Sequence, residues 1–246
     1  MITLYDSYNY PQYWETRKYE DQAEKIALKR LLRLVTKKDS LIDIGGGYGR
    51  LAPVYIKEFK TCLLIDPSKN LLNQGKKKFK EATNLSFKTG RVQKLPVKND
   101  QFDAAIMIRV SHHLHHLEKA FLEVNRVLKP KGFFIFEFAN KINFKASVRA
   151  IFRRKLGFFV SHLPEDISSQ KKIPFINYHP SHIKSLLLSN GFQILKTFSV
   201  SNFRHRLIKK LVPLKILLAL ESAYSSLSSA FSLYSGPSIF ILAQKR

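Results

Sequence analysis

Four stretches of this sequence hold residues whose types and spacing can do chemistry. In LIDIGGGYGR (41–50) an acid, Asp43, and glycines at 45, 46, 47 and 49 close an apolar run. Glycine tolerates positive φ and lets a ligand approach the backbone, so Gly45, Gly47 and Gly49 read as a turn that seats a small molecule at the end of a buried strand. The following LAPVYIKEF is expected to begin a helix whose free N–H groups face that ligand. Arg50 stands where the dinucleotide fingerprint G-x-G-x-x-G needs its last glycine, so the spacing is Asp43-x-Gly45-x-Gly47-x-Gly49 instead. A second acid, Asp66, ends the run TCLLID. An acid there, at the end of the second strand of a doubly wound sheet, is placed to accept both ribose hydroxyls of a nucleoside, although Pro67-Ser68 also suits a helix cap.

The third stretch carries His112, His113, His115 and His116. Adjacent residues point in different directions and no carboxylate follows at an H-E-x-x-H spacing, so no metal is expected. An imidazole titrates near neutrality, which makes His113, at the mouth of the fourth strand, a candidate general base or substrate-orienting residue; packing at a helix start is the alternative. The fourth stretch is an aromatic cluster, Tyr5, Tyr8, Tyr10, Tyr13 and Trp14, whose ring faces attract cations or simply anchor the segment to the core.

The elements that position these groups follow in order. A helical pattern runs through Ala23, Ile26, Ala27, Leu31 and Leu34 before the first strand. After Asp66 come a lysine-rich helix, 69–82, a short strand, 85–89, and the turn 90–96. A strand over 100–110 leads to a helix over 117–128, a break at Lys129-Pro130-Lys131-Gly132 and a strand over 133–138. Between 144 and 159, Phe144, Val148, Ile151, Phe152, Leu156 and Phe159 share one helical face, with Lys145, Arg149, Arg153, Arg154 and Lys155 around it. Pro180 starts a helix that Gly191 ends, and strands over 192–200 and in SIFILAQK flank a segment whose serine-rich helix puts Ala223, Leu227, Phe231 and Tyr234 on one face.

The motif around Asp43 to Gly49, Asp66, and FDAAIMIRVSHHLHH with its helix and Leu-Lys-Pro-x-Gly turn closely resemble class I S-adenosylmethionine-dependent methyltransferases. The similarity is to the small-molecule group, methyltransferase type 11 or ubiquinone-biosynthesis-like, and covers roughly residues 40 to 140. Tyr-Trp-x-x-Arg-x-Tyr-Glu before the first strand also looks like segments of that group. The resemblance implies an α/β Rossmann-like, doubly wound, seven-stranded sheet, mostly parallel with its last strand antiparallel, and S-adenosyl-L-methionine as cofactor. Its implied contacts are Asp43, Gly45, Gly47, Gly49, Asp66, the backbone N–H of Val92 at the adenine, Arg109, and Tyr13 or Trp14 near the sulfonium. Arg91 stands where the family commonly has an acid for the adenine amino group. One methyltransferase domain over 1–246 is expected, with an N-terminal cap helix, 1–38, and helical insertions, 141–175 and 204–236, that act as a lid or face a membrane.

Charge limits the acceptor. Lys and Arg number 42 against 18 Asp and Glu, a formal net charge of +24 in 246 residues, which draws the chain to anionic partners. The lone cysteine, Cys62, excludes an internal disulfide. MITLYDSYNY lacks a signal-peptide pattern, and the apolar stretches fall short of the roughly 20 residues that cross a bilayer, so a cytoplasmic protein with peripheral membrane contact is expected. The expected acceptor is a small or lipid-like molecule. An RNA acceptor is second, although Arg109-Val110-Ser111-His112 lacks the Asn/Asp-Pro-Pro-aromatic motif of many base-amine methylases. A non-catalytic methyltransferase-like membrane or partner-binding protein is third.

Overall fold

In the computed structural model, residues 10–155, 157–168, 174–227 and 236–246 are described, without the side chains of 226 and 227. Tyr5, Tyr8, Leu156, Phe231, Tyr234 and the side chain of Leu227 lie outside them.

The central strands show no polar alternation because both faces are covered. All six residues of β4, Phe102–Met107, are buried, as are four of five in β1, Ser40–Ile44. These join β2 (Thr61–Asp66), β3 (Leu85–Thr89), β5 (Leu128–Ala139), β8 (Phe192–Val200) and β9 (Ser238–Lys245) in one sheet of order β3-β2-β1-β4-β5-β9-β8. β1 to β5 pair in parallel, and β9 runs antiparallel between β5 and β8, as the resemblance implies. On one face, α5 (Leu117–Val127) and α8 (Pro180–Ser189) bury Phe121, Val124, Ile183 and Leu187; on the other, α2 (Lys18–Leu32) buries Ala23, Leu28 and Leu31. Strand order reverses between β1 and β4, which opens a crevice at their carboxyl ends, where the glycine turn, Asp66 and Arg109 lie.

Several element boundaries depart from the pattern reading. The helix after the glycine turn, α3, is the single turn Ala52–Tyr55. Helix α4 stops at Lys78, where the Phe79 ring turns back under Gly49. The break at 129–132 is absorbed into a twelve-residue β5, with Lys131 at φ 63 and a register shift against β4. The N-terminal cap is two helices, α1 (Tyr10–Glu15) and α2. The helix expected over 144–159 is α6 (Phe144–Phe152) and α7 (Gly157–Val160), interrupted where Arg154 takes φ 52. A small antiparallel pair, β6 (Glu165–Asp166) with β7 (Ile176–Asn177), follows, which no sequence pattern announced.

The segment after β8 forms α9 (Arg206–Leu211) and α10 (Leu214–Leu227), and α10 lies on the cap. Glu221 is the buried clasp: it accepts from the Tyr19 hydroxyl at 2.6 Å and from the N–H groups of Ser201 and Asn202 at 2.7 and 3.1 Å. Glu221→Ala strands two buried donors, the Tyr19 hydroxyl and the Ser201 N–H, and is expected to destabilise the fold by about 2 to 4 kcal/mol, with Glu221→Gln much milder. Denaturant unfolding checks this, and equal, small effects of both changes contradict it.

Candidate active site

The glycine turn holds itself together. Gly45 N–H donates to the Ile65 carbonyl at 2.7 Å, Gly49 N–H to the Gly46 carbonyl at 3.0 Å, and Gly47 N–H to Asp66 Oδ2 at 3.0 Å. Gly45 and Gly47 sit at φ 74 and 57, the left-handed region that glycine occupies without strain. At Gly46 the reason is space, since a Cβ there would meet Asp43 Oδ2 at 2.6 Å. The one-turn α3 offers no helix N-terminus for a ligand, so the expected helix N–H groups are replaced by a pocket of turn backbone.

Two acids underlie that turn with different environments. Asp66 accepts from Gly47 N–H and from Ser68 N–H at 2.8 Å, and the N-cap of α4 is the Ser68 hydroxyl rather than Asp66. Asp43 is 2% exposed beneath the turn, its Oδ2 taking the Tyr55 hydroxyl at 2.8 Å. Burial pushes its carboxyl up to about 7, against the opposing pull of Tyr55 and Arg50.

A charged group closes the cap side. Glu24 of α2, with no exposure, accepts from Arg50 Nη2 at 2.5 Å and from Arg109 Nε at 2.7 Å. Arg50 also reaches Asp21 at 2.8 Å. The Arg109 N–H donates to Glu137 Oε2 at 2.8 Å, and Arg109 holds φ 64 to do so. Burial disfavours the Arg109 charge, but Glu24 and Glu137 outweigh it and hold the guanidinium above its ordinary range. Trp14 lies under Arg50, 3.7 Å from its ring centroid, and Tyr13 under Arg17, 4.2 Å.

The histidines occupy the opposite end. A carbonyl only accepts, so the 2.9 Å contact of His113 Nδ1 with the Pro174 oxygen puts the proton on Nδ1, which leaves Nε2 as the basic nitrogen of the neutral ring. Burial, aided by Arg109, moves the His113 pKa below its ordinary value, so the ring is neutral at pH 7. His112 is buried between His113 and Phe175, ring centroids 4.0 and 4.6 Å away, and burial holds it far below the usual imidazole range. His115 and His116 are exposed.

A cavity of about 680 Å³ joins these parts. Tyr10, Tyr13, Trp14 and Arg17 line it from the cap, Asp43, Gly45, Gly47 and Asp66 from the turn, and Val92 from the loop after β3. Arg109, His112, His113, Pro174 and Phe175 line the far side. Gly49 is not among its walls; it packs against Phe79. The cations stacked on Tyr13 and Trp14 are the protein's own arginines, and the Arg109 side chain serves Glu24, so these three reach the cavity as its structural wall.

Sequence reasoning passed over Arg17, Glu24, Arg50 as an ion-pair former, Glu137 and Phe175. A signal existed for Glu24: with Glu20 it sits at i, i+4 inside the Tyr19, Ala23, Ala27 and Leu31 stripe, where an acid needs a partner. Phe175 gave none, because β6 and β7 are two residues each.

Residues 42–136 match the family model for the methyltransferase domain. MJ1252 of Methanocaldococcus jannaschii, an uncharacterized protein, is 28% identical over 197 residues, 74% of this chain and 73% of its own. Other relatives match about two fifths of their own length: the uncharacterized methyltransferase YcgJ of Bacillus subtilis is 31% identical over 39% of this chain and 38% of its own, and the ubiquinone/menaquinone biosynthesis C-methyltransferase UbiE of Bartonella bacilliformis is 31% identical over 41% of each. An S-adenosylmethionine-dependent methyltransferase from Mesorhizobium loti shares the fold at TM-score 0.61, 17% identity, over 91% of this chain and 98% of that one. The [4+2]-cyclase SpnF shares it too, at TM-score 0.56, 17% identity, over 88% and 81%, so the fold by itself assigns no reaction. The domain match, sheet order and glycine turn together are those of class I S-adenosylmethionine-dependent methyltransferases.

The Asp43 carboxyl gives a pH test. Its pKa in the fold, about 7, exceeds the ordinary 3.8, so the folded state favours the protonated form. The stability this group contributes below its ordinary pKa is therefore lost as pH rises from about 4 to about 7. Asp43→Asn cannot titrate, so its stability relative to wild type is expected to improve by a few kcal/mol across that window. Thermal unfolding against pH checks this, and a flat difference contradicts it.

Proposed function

We propose that this chain transfers a methyl group from S-adenosylmethionine to a small or lipid-like acceptor held against the cavity wall that His113, His112 and Phe175 form. The observation that carries the reading is the single cavity, about 680 Å³, running from the glycine turn and Asp66 to His113. That volume is in the range of small-molecule sites.

The residues fit the cofactor. The turn leaves room at Gly47, where a Cβ would meet nothing closer than 3.6 Å. Asp66 suits ribose hydroxyls, the Val92 backbone suits the adenine edge, and the Arg17 guanidinium suits a carboxylate, as it enters no ion pair with an acid among the described residues. When bound, the cofactor supplies a methyl group on a sulfonium, open to in-line displacement by an oxygen, nitrogen or carbon nucleophile. The chain's contribution is positioning: the turn and Asp66 fix one reactant, the His112 to Phe175 wall the other, and the cap excludes water. Where the nucleophile must lose a proton, His113 Nε2 receives it, while the Pro174 carbonyl holds the ring's tautomer.

The net charge of +24 supports RNA as the second reading. Incubation with methyl-labelled S-adenosylmethionine and separate cell RNA and lipid extracts distinguishes them: label in the lipid or small-molecule fraction is expected, and label in RNA alone overturns the first reading. A soluble protein in the cytoplasm, docking peripherally, is part of the proposal; no helix among the described residues is long and apolar enough to cross a membrane.

Asp66→Ala is expected to weaken cofactor binding about ten- to a hundredfold, measured by calorimetry on the folded variant. Unchanged affinity means the nucleoside lies elsewhere. His113→Gln is expected to lower kcat by about a hundredfold or more with little change in cofactor affinity. Because burial lowers its pKa, the wild-type rate should fall only below the ordinary imidazole value of 6.5, and the variant should lose that acid limb. A normal rate and profile leaves His113 a packing role.

A further inference from the structure

The insertion between β5 and β8 turns its apolar side chains away from the protein. Phe144 is 70% exposed, Ile151 58%, Phe152 84%, Val160 75% and Leu163 74%. At about 100° per residue, Phe144, Val148, Ile151 and Phe152 fall within about 100° of arc on α6, and Lys145, Arg149 and Arg153 occupy the next 80° or so. Ala150, the buried residue of this helix, lies on the opposite side and makes the contact with the body. Arg154 and Lys155 extend the basic edge, all five cations are exposed, and none enters an ion pair among the described residues. Between Glu137 and Glu165 the sequence has no acid.

We propose that this α6–α7 surface docks the protein on an anionic lipid membrane. An exposed apolar stripe bordered by a continuous basic edge is the arrangement of a helix lying in the interface plane, apolar side among the acyl chains and cations at the headgroups. Each cation near an anionic surface contributes about 1 kcal/mol, so five hold the chain reversibly. A second copy of the chain would bring the same five uncompensated cations against these, which opposes self-association. RNA would use a groove lined with stacking rings, whereas here Phe144 and Phe152 share an open face with Ile151, Val160 and Leu163, aliphatic side chains that offer bases no stacking surface.

The same insertion reaches the cavity. Lys141, buried, donates to the carbonyls of Ser161 and Leu163, both at 2.9 Å, and fixes the turn that leads on to Ile167, Ser168, Pro174 and Phe175 in the cavity wall. A docked α6–α7 therefore sets the cavity beside the lipid, which favours an acceptor drawn from the membrane. This last step rests on the methyl-transfer reading; the docking does not.

Flotation of the full chain with phosphatidylcholine vesicles, with and without phosphatidylglycerol, tests the proposal. Wild type is expected to float with the anionic vesicles alone. Phe144→Ser with Phe152→Ser, and separately R149E/R153E/R154E, should each lower partitioning by about tenfold or more. These side chains are exposed, so unfolding midpoints and S-adenosylhomocysteine binding should stay at wild-type values. Wild type that ignores anionic vesicles, or variants that float as well as wild type, overturn the proposal. RNA binding with a steep salt dependence, or self-association abolished by Phe152→Ser, each without flotation, overturn it in favour of that partner. Flotation without methyl transfer to any extract keeps the docking and overturns the catalytic reading instead.

Discussion

Glu24 is wholly buried on the inner face of the cap helix, and the geometry of the crevice depends on how its charge is met. A carboxylate removed from water without partners is penalised by several kcal/mol, and two guanidiniums converge on this one, Arg50 from the glycine turn and Arg109 from the end of β4. The ion pair thus ties together a segment before the first strand, the turn after it and the fourth strand. From Arg109 the connection continues through its N–H to Glu137 in β5, and the Ser238 hydroxyl of β9 donates to the same carboxylate. Five segments distant in sequence are held at one point.

That arrangement explains why the cavity has two unlike ends. On the cap side, Trp14 rests against the paired arginines and Tyr13 against Arg17, so the aromatic residues form a rigid wall rather than loose covers. On the far side, Arg109 is also near the histidines, and its field reinforces the burial that keeps His112 and His113 neutral. The same guanidinium helps to hold the cap-side wall of the cavity and to keep the proposed base unprotonated. A neutral imidazole with its Nδ1 proton fixed by a carbonyl is suited to taking a proton from an acceptor, and weakly suited to repelling a cationic cofactor.

Much of this was legible in the chain. Glycines at 45, 47 and 49 with acids at 43 and 66 are a local pattern, and the apolar runs of β1, β2 and β4 follow from burial on both faces. The sites of Asp66, Val92 and His113 around one crevice follow once strand order is known. What was hidden depends on long-range pairing. Arg50 and Arg109 read as surface or ligand-facing cations until Glu24 is placed between them, 26 and 85 residues away. The breaks at Lys78 and Arg154 come from tertiary packing and a left-handed residue that helical periodicity does not reveal. β6 and β7 are too short to carry a pattern, although their pairing places Phe175 against His112.

The central claim is that one crevice holds cofactor and acceptor at opposite ends. A crystal structure of the chain with S-adenosylhomocysteine tests it most directly. The account predicts the ribose against Asp66, the adenine beside Val92 and the thioether sulfur turned toward the His112 and His113 end, with the Glu24 ion pairs intact. A nucleoside bound outside the glycine turn, or a sulfur facing away from the histidines, would contradict it.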